Sequence, residues 1–158
     1  MRTHLIQLCL MLAALVLPQQ AFAANSVALS SEVFLERTIS EADGKSKVLL
    51  LAPKVVTPGD RLIFILNYHN VGATPASNFV ITNPLPEAVS YQGAADPTAQ
   101  VSIDGGKVWG SLTTLKVQEI DGTLRAARPE DVTHVRWAMK NAIPAGAQGK
   151  LSFRGLVR

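Results

Sequence analysis

The chain is nearly without cysteine and sparing with histidine. Its 158 residues include one cysteine, Cys9, and three histidines. Cys9 lies in an N-terminal stretch that reads as a removable leader. The chain that follows therefore has no thiol chemistry, no disulfide framework and no cysteine metal site. Beyond the leader, histidine is confined to His69 and His134, and neither sits in an H-x-H, H-E-x-x-H or G-x-S-x-G pattern. That removes the zinc and serine-hydrolase signatures that a sequence can display. Charge is also scarce: charged residues make up 17% of the chain and the formal net charge is +3. With no basic run in view, nucleic acid is not an expected partner. No cofactor motif is present and no cofactor is expected. Helical periodicity is missing too, since no segment after residue 23 keeps apolar residues at i, i+3, i+4 and i+7 for the length of a helix.

What is present begins with export. Arg2 supplies a positive start, Leu5 to Leu17 is almost wholly apolar, and Ala21-Phe22-Ala23 places small residues where signal peptidase reads them. A membrane span needs about 20 apolar residues, and Pro18-Gln19-Gln20 ends the run short of that. A lipid anchor on Cys9 does not fit, because Leu8 stands where a small residue is required and most of the apolar run follows. The expected division is a signal peptide over 1–23 and a single domain over 24–158, periplasmic or secreted, with no membrane span after cleavage.

The domain reads as all-β. Asp43-Gly44, Asp104-Gly105 and Asp121-Gly122 each lie between apolar, β-branched segments, the strongest short-range signal for a hairpin. The first predicts that Val27 to Ile39 pairs with Lys47 to Ala52; the third, that Leu115 to Ile120 pairs with Thr123 to Ala127. Period-two alternation places Leu62, Phe64, Leu66 and Tyr68 on one face of a strand and Ile63 and Ile65 on the other. A strand apolar on both faces is expected at the centre of a sheet. Val135, Trp137 and Met139 alternate with His134, Arg136 and Lys140, while Leu151, Phe153 and Val157 alternate with Lys150, Arg154 and Arg158. Pro53, Pro58, Pro75, Pro84, Pro86, Pro97, Pro129 and Pro144 fall where strands would end. Roughly eight or nine short strands with turns between them predict an antiparallel β-sandwich.

Between Val56 and Pro86 stand Pro58-Gly59-Asp60, an apolar strand, Asn70-Val71-Gly72, a second strand and Asn83-Pro84-Leu85-Pro86. This order resembles the domain-of-unknown-function-eleven family, a repeat of bacterial surface and exported proteins. The resemblance covers nearly all of 24–158, best from Pro53 to Pro86 and from Val132 to Val157. It implies an immunoglobulin-like sandwich in the cell envelope or extracellular space. It implies no reaction.

Ser102, Asp104, Gly106 and Trp109 match the Asp-box pattern S-x-D-x-G-x-x-W, also known from secreted β-proteins. Its expected role is a structural hairpin in which the aspartate accepts backbone N–H groups and the tryptophan folds back. Asp96, Asp104 and Asp121 are the candidates for a calcium site, but without EF-hand spacing they are expected to serve their own turns. Trp137 is expected in the core and Trp109 half exposed.

The ligand-binding expectation concerns six basic residues. If Val132–Lys140 and Lys150–Arg158 form one antiparallel hairpin, His134, Arg136, Lys140, Lys150, Arg154 and Arg158 share its outward face. Such a stripe suits an anionic polysaccharide. Taken together, these readings describe an exported, non-catalytic interaction or structural module whose partners are envelope proteins or anionic polymers. The rival is an assembly or chaperone-like protein that binds a partner strand by β-augmentation, for which a long unprotected sheet edge is the distinguishing sign. A hydrolase is the least favoured class. It requires His69 or His134 beside a carboxylate in a deep pocket.

Overall fold

A computed structural model of the protein describes residues 27–158; the leader expected over 1–23 lies outside them. Among the described residues there are ten strands: β1 (Val27–Ser40), β2 (Ser46–Leu51), β3 (Arg61–Asn70), β4 (Val80–Pro84), β5 (Val89–Ala94), β6 (Gln100–Ser102), β7 (Lys116–Gln118), β8 (Leu124–Ala126), β9 (His134–Ala138) and β10 (Gln148–Val157). They form a five-stranded sheet in the order β2-β1-β3-β10-β5, a three-stranded sheet in the order β4-β9-β6, and a β7-β8 ribbon. Every pairing is antiparallel. The two larger sheets pack face to face as a β-sandwich.

Alternation decides which side chains meet between the sheets. Leu62, Phe64 and Leu66 of β3, with Leu151, Phe153 and Val157 of β10, face Ile81 of β4 and Val135 and Trp137 of β9 in one apolar cluster. Phe64 and Phe153 sit opposite each other in register and stack, with ring centroids 4.5 Å apart. Beside them Gly155 leaves room for the Val89 side chain, which a β-carbon there would strike. The opposite face of β3 carries Ile63 and Ile65, both buried. Ile63 lies in register between Phe34 of β1 and Arg154 of β10. The Arg154 guanidinium crosses over β3 to Glu36 at 2.9–3.0 Å, so an ion pair roofs an apolar strand.

Hairpins form at Asp43-Gly44, joining β1 to β2, and at Asp121-Gly122, joining β7 to β8. At Asp104-Gly105 the chain instead returns from β6 through a compact turn to one bridge, Val101–Gly110.

The expected hairpin of Val132–Lys140 with Lys150–Arg158 does not form. β9 lies between β4 and β6, while β10 lies between β3 and β5 in the other sheet. The short connection between them crosses the sandwich because Asn70, wholly buried, holds it. The Asn70 amide donates to the carbonyls of Ile143 at 2.8 Å, Thr74 at 2.9 Å and Pro144 at 3.2 Å. Its Oδ1 accepts the Gly72 N–H at 3.0 Å. A buried amide with all its groups satisfied fixes a crossover that local pattern cannot specify.

Candidate interaction surface

The edge of the five-stranded sheet at β2 carries a contiguous run of exposed apolar side chains. Its origin is local. Asp43 Oδ1 accepts the Lys45 N–H at 3.0 Å and Gly44 takes a φ of 81°, so the chain reverses tightly and β2 runs back along β1. The β1–β2 register is unbroken from Leu35–Leu51 to Ser40–Ser46. β1 pairs with β3 only as far as Glu36–Arg61, because β3 begins after the Pro58-Gly59-Asp60 turn. Arg37 to Ser40 and their partners on β2 therefore extend past the sandwich as a two-stranded arm.

The arm is anchored at its base. Asp60, nearly buried, accepts the Thr57 N–H at 2.9 Å and the Arg37 guanidinium at 2.9 Å. The Thr57 N–H, with Arg37 adding to it, holds the Asp60 carboxyl below its ordinary value of 3.8. Lys45 pairs with Asp43 at 3.1 Å and Lys47 reaches Glu41 at 3.9 Å. The charges of the arm are thus occupied within it or at its base.

Its apolar side chains are not. Val48 is 52% exposed, Leu50 45% and Leu51 44%. Register sets Leu49 and Leu51 on the face that continues the core side of the sheet, and Val48 and Leu50 on the other. Among the described residues no strand pairs with the outer side of β2. A strand apolar on both faces with an open backbone edge is a template for another strand.

The Asp-box corner is closed by comparison. Asp104 Oδ1 accepts the Ser102 hydroxyl at 2.7 Å and the N–H groups of Lys107 and Val108 at 3.0 Å each. The Val108 N–H and the Ser102 hydroxyl hold its carboxyl below the ordinary range. Gly105 and Gly106 take φ values of 76° and 91°, a region other residues avoid. Trp109 Nε1 donates to the Gly106 carbonyl at 2.8 Å. Its ring is covered by the Arg136 guanidinium, 4.4 Å from the centroid, and Gln100 holds that guanidinium at 2.9 and 3.0 Å. Trp109 is a half-buried lid on its own turn, with a face already occupied by a cation.

The six basic residues are dispersed. His134 and Arg136 lie on the outward face of β9, since Val135 and Trp137 between and beside them point into the core. Lys150 and Arg154 lie on the outward face of β10, across the sandwich. Lys140 follows β9 near Asp96, and Arg158 follows β10. With the hairpin absent, no shared stripe exists. Arg136 and Arg154 are also engaged by Gln100 and Glu36.

His69 lines a cleft of about 450 Å³ with Ser30, Asn67, Gln148 and Lys150, and no carboxylate is among its walls. His134 rests on Thr133 and edge-on to Trp109. Asp96 and Asp121 each bond a threonine two residues on, within their own turns. Among the described residues no group of three His, Cys, Asp or Glu side chains is placed to hold a metal ion. Nor is any helix there long and apolar enough to cross a membrane.

Two features escaped the reading of the sequence. Asn70 was visible only as part of the Asn70-Val71-Gly72 motif, with nothing to show that it ties two sheets. The β2 edge had a signal in Val48-Leu49-Leu50-Leu51, four apolar residues without alternation beside a hairpin turn. Comparison with protein-family models, curated proteins and solved structures gave no match to this chain.

Proposed function

We propose that this protein is an exported, non-catalytic interaction module of the bacterial envelope or extracellular space that takes a partner strand at β2. The exposed apolar edge carries the reading. A partner strand laid along β2 satisfies its open backbone groups, and side chains of the partner cover Leu49 and Leu51 on one face and Val48 and Leu50 on the other. Removing apolar surface from water contributes about 25 cal/mol per Å², so side chains this exposed gain most from being covered. Export and kinship with the immunoglobulin-like family rest on the leader pattern and on the Pro58-Gly59-Asp60 and Asn70-Val71-Gly72 motifs. Of the two binding modes weighed from the sequence, strand addition is favoured over a basic face, because the basic residues are divided between opposite sides of the sandwich.

The test is a photo-crosslinking amino acid placed at Leu50 in the producing cell, with a second at Gln92 on the far edge of the same sheet. Adducts from position 50 and not from 92 are expected. Adducts from position 92 alone, or from neither, contradict the reading.

A further inference from the structure

We infer that the strand taken up at β2 is the β2 of a second copy of this chain, so that two five-stranded sheets join across a twofold axis into one continuous sheet. The inference rests on the strand-addition reading above and names its occupant.

Charge argues for a copy of itself. Between Glu36 and Asp60 the chain holds Arg37, Lys45, Lys47 and Lys54 against Glu36, Glu41, Asp43 and Asp60, a balanced set. Most are committed: Arg37 to Asp60, Lys45 to Asp43, Lys47 to Glu41 and Glu36 to Arg154. An edge with no net field draws neither an acidic nor a basic peptide, and it does not repel itself.

Register argues the same way. In an antiparallel pair, residues directly opposite share a face. A twofold axis normal to the sheet keeps each face on its own side, so the axis must pass through a residue and not between two. With the axis at Leu49, Leu49 meets Leu49, Val48 meets Leu50, and Lys47 meets Leu51. All four large apolar side chains of β2 then face an apolar side chain or the aliphatic stem of a lysine, and no like charges are opposed. An axis at Val48 leaves Leu51 outside the strand-to-strand pairing. An axis at Leu50 puts Lys47 against Pro53, which has no N–H to give. Leu49 is the centre that the sequence fits.

The edge also lacks what would prevent this. β2 contains no proline, and its pairing with β1 shows no bulge. Its single lysine, Lys47, is drawn toward Glu41. These are the devices that keep edge strands apart.

The experiment uses the protein with Cys9 replaced by serine, so that any added cysteine stands alone. Sedimentation equilibrium over a micromolar-to-millimolar series is expected to show a dimer. Leu50→Lys and, independently, Val48→Glu are expected to raise its dissociation constant at least about a hundredfold. Both side chains are about half exposed, so thermal melting of the monomer stays as in the parent. On oxidation Leu49→Cys is expected to crosslink to itself. Lys47→Cys is not, because the two copies of residue 47 lie about 13 Å apart along the strands, beyond the reach of a disulfide. A monomer at every concentration, a dimer indifferent to both β2 variants, or equal crosslinking at 47 and 49 overturns the inference. If the protein is monomeric yet a crosslinker at Leu50 captures a different protein, the dimer falls and strand addition stands. A monomer with a silent position 50 removes both.

Discussion

The two edges of the five-stranded sheet, β2 and β5, behave oppositely. β5 closes one edge with Val89 and Ser90 buried, and with Tyr91 packed against the core. Its pairing with β10 slips between Phe153 and Gly155, where Gln92 and Gly93 together stand opposite Arg154. Gly93 has a φ of 102°, and Asp96-Pro97 follows at once. A bulge, a twist and a proline end this edge. β2, at the other side, runs straight with a full register and carries its leucines into solvent. Apolar side chains at an edge thus serve different ends: those of β5 are spent on the core, and those of β2 remain available for a partner.

That contrast sets the order of expected effects. The largest lies under β5, where Phe153 stacks on Phe64 and approaches both Tyr91 and Trp137. Phe153→Ala is expected to cost about 3–5 kcal/mol in denaturant melts, as for other buried aromatic side chains. A loss under about 1 kcal/mol would remove the core from beneath that edge. Next comes Val89→Ala in β5 itself, expected to cost about 2 kcal/mol from two lost methyl groups and the space left behind. A neutral result would make β5 as peripheral as β2 and end the comparison.

Acid separates the edges by a smaller effect. Asp60 ionises more readily in the fold than in the unfolded chain, because the Thr57 N–H and Arg37 favour its charged form. The stability it adds is therefore complete above the unfolded value of about 4 and drains away as pH falls through the lower folded value. Relative to the intrinsic rate at each pH, the protection of amides at Arg37–Ser40 is expected to fall below about pH 4 while that of β5, anchored by apolar contacts, changes last. Simultaneous loosening of both would show that Asp60 does not anchor the arm. The smallest effect is the counterpart of Val89→Ala: Leu50→Ala, measured in dilute monomer, is expected to stay within about 0.5 kcal/mol of the parent.

Local signals carried the fold a long way. The β1–β2 and β7–β8 hairpins were legible in their Asp-Gly turns, the two-faced apolarity of β3 in simple alternation, and the burial of Trp137 in its phase with Val135. The bonds of the Asp104 carboxylate were legible because each partner lies within four residues of it, whereas the Arg136 cover over Trp109 comes from another strand. The pairing of β9 and β10 was not. Which sheet receives a strand depends on contacts far apart in sequence, here the hold of Asn70 on Ile143 and Pro144. A short connection between two strands is read by default as a hairpin, and that default gathered His134, Arg136, Lys140, Lys150, Arg154 and Arg158 onto one face. The unalternating Val48-Leu49-Leu50-Leu51 marked β2 as unusual but not as open, because whether an apolar strand is covered depends on what lies beside it.

Hydrogen exchange along the two edges, read in dilute and in concentrated protein, tests the central claim most directly. The account predicts that the amides of Val48–Leu51 that point away from β1 exchange fast when dilute and gain at least about tenfold protection on concentration, as a strand adds there, while Ser90 in β5 stays protected throughout. Unchanged exchange in β2 at both concentrations, or protection gained at β5 instead, would contradict it.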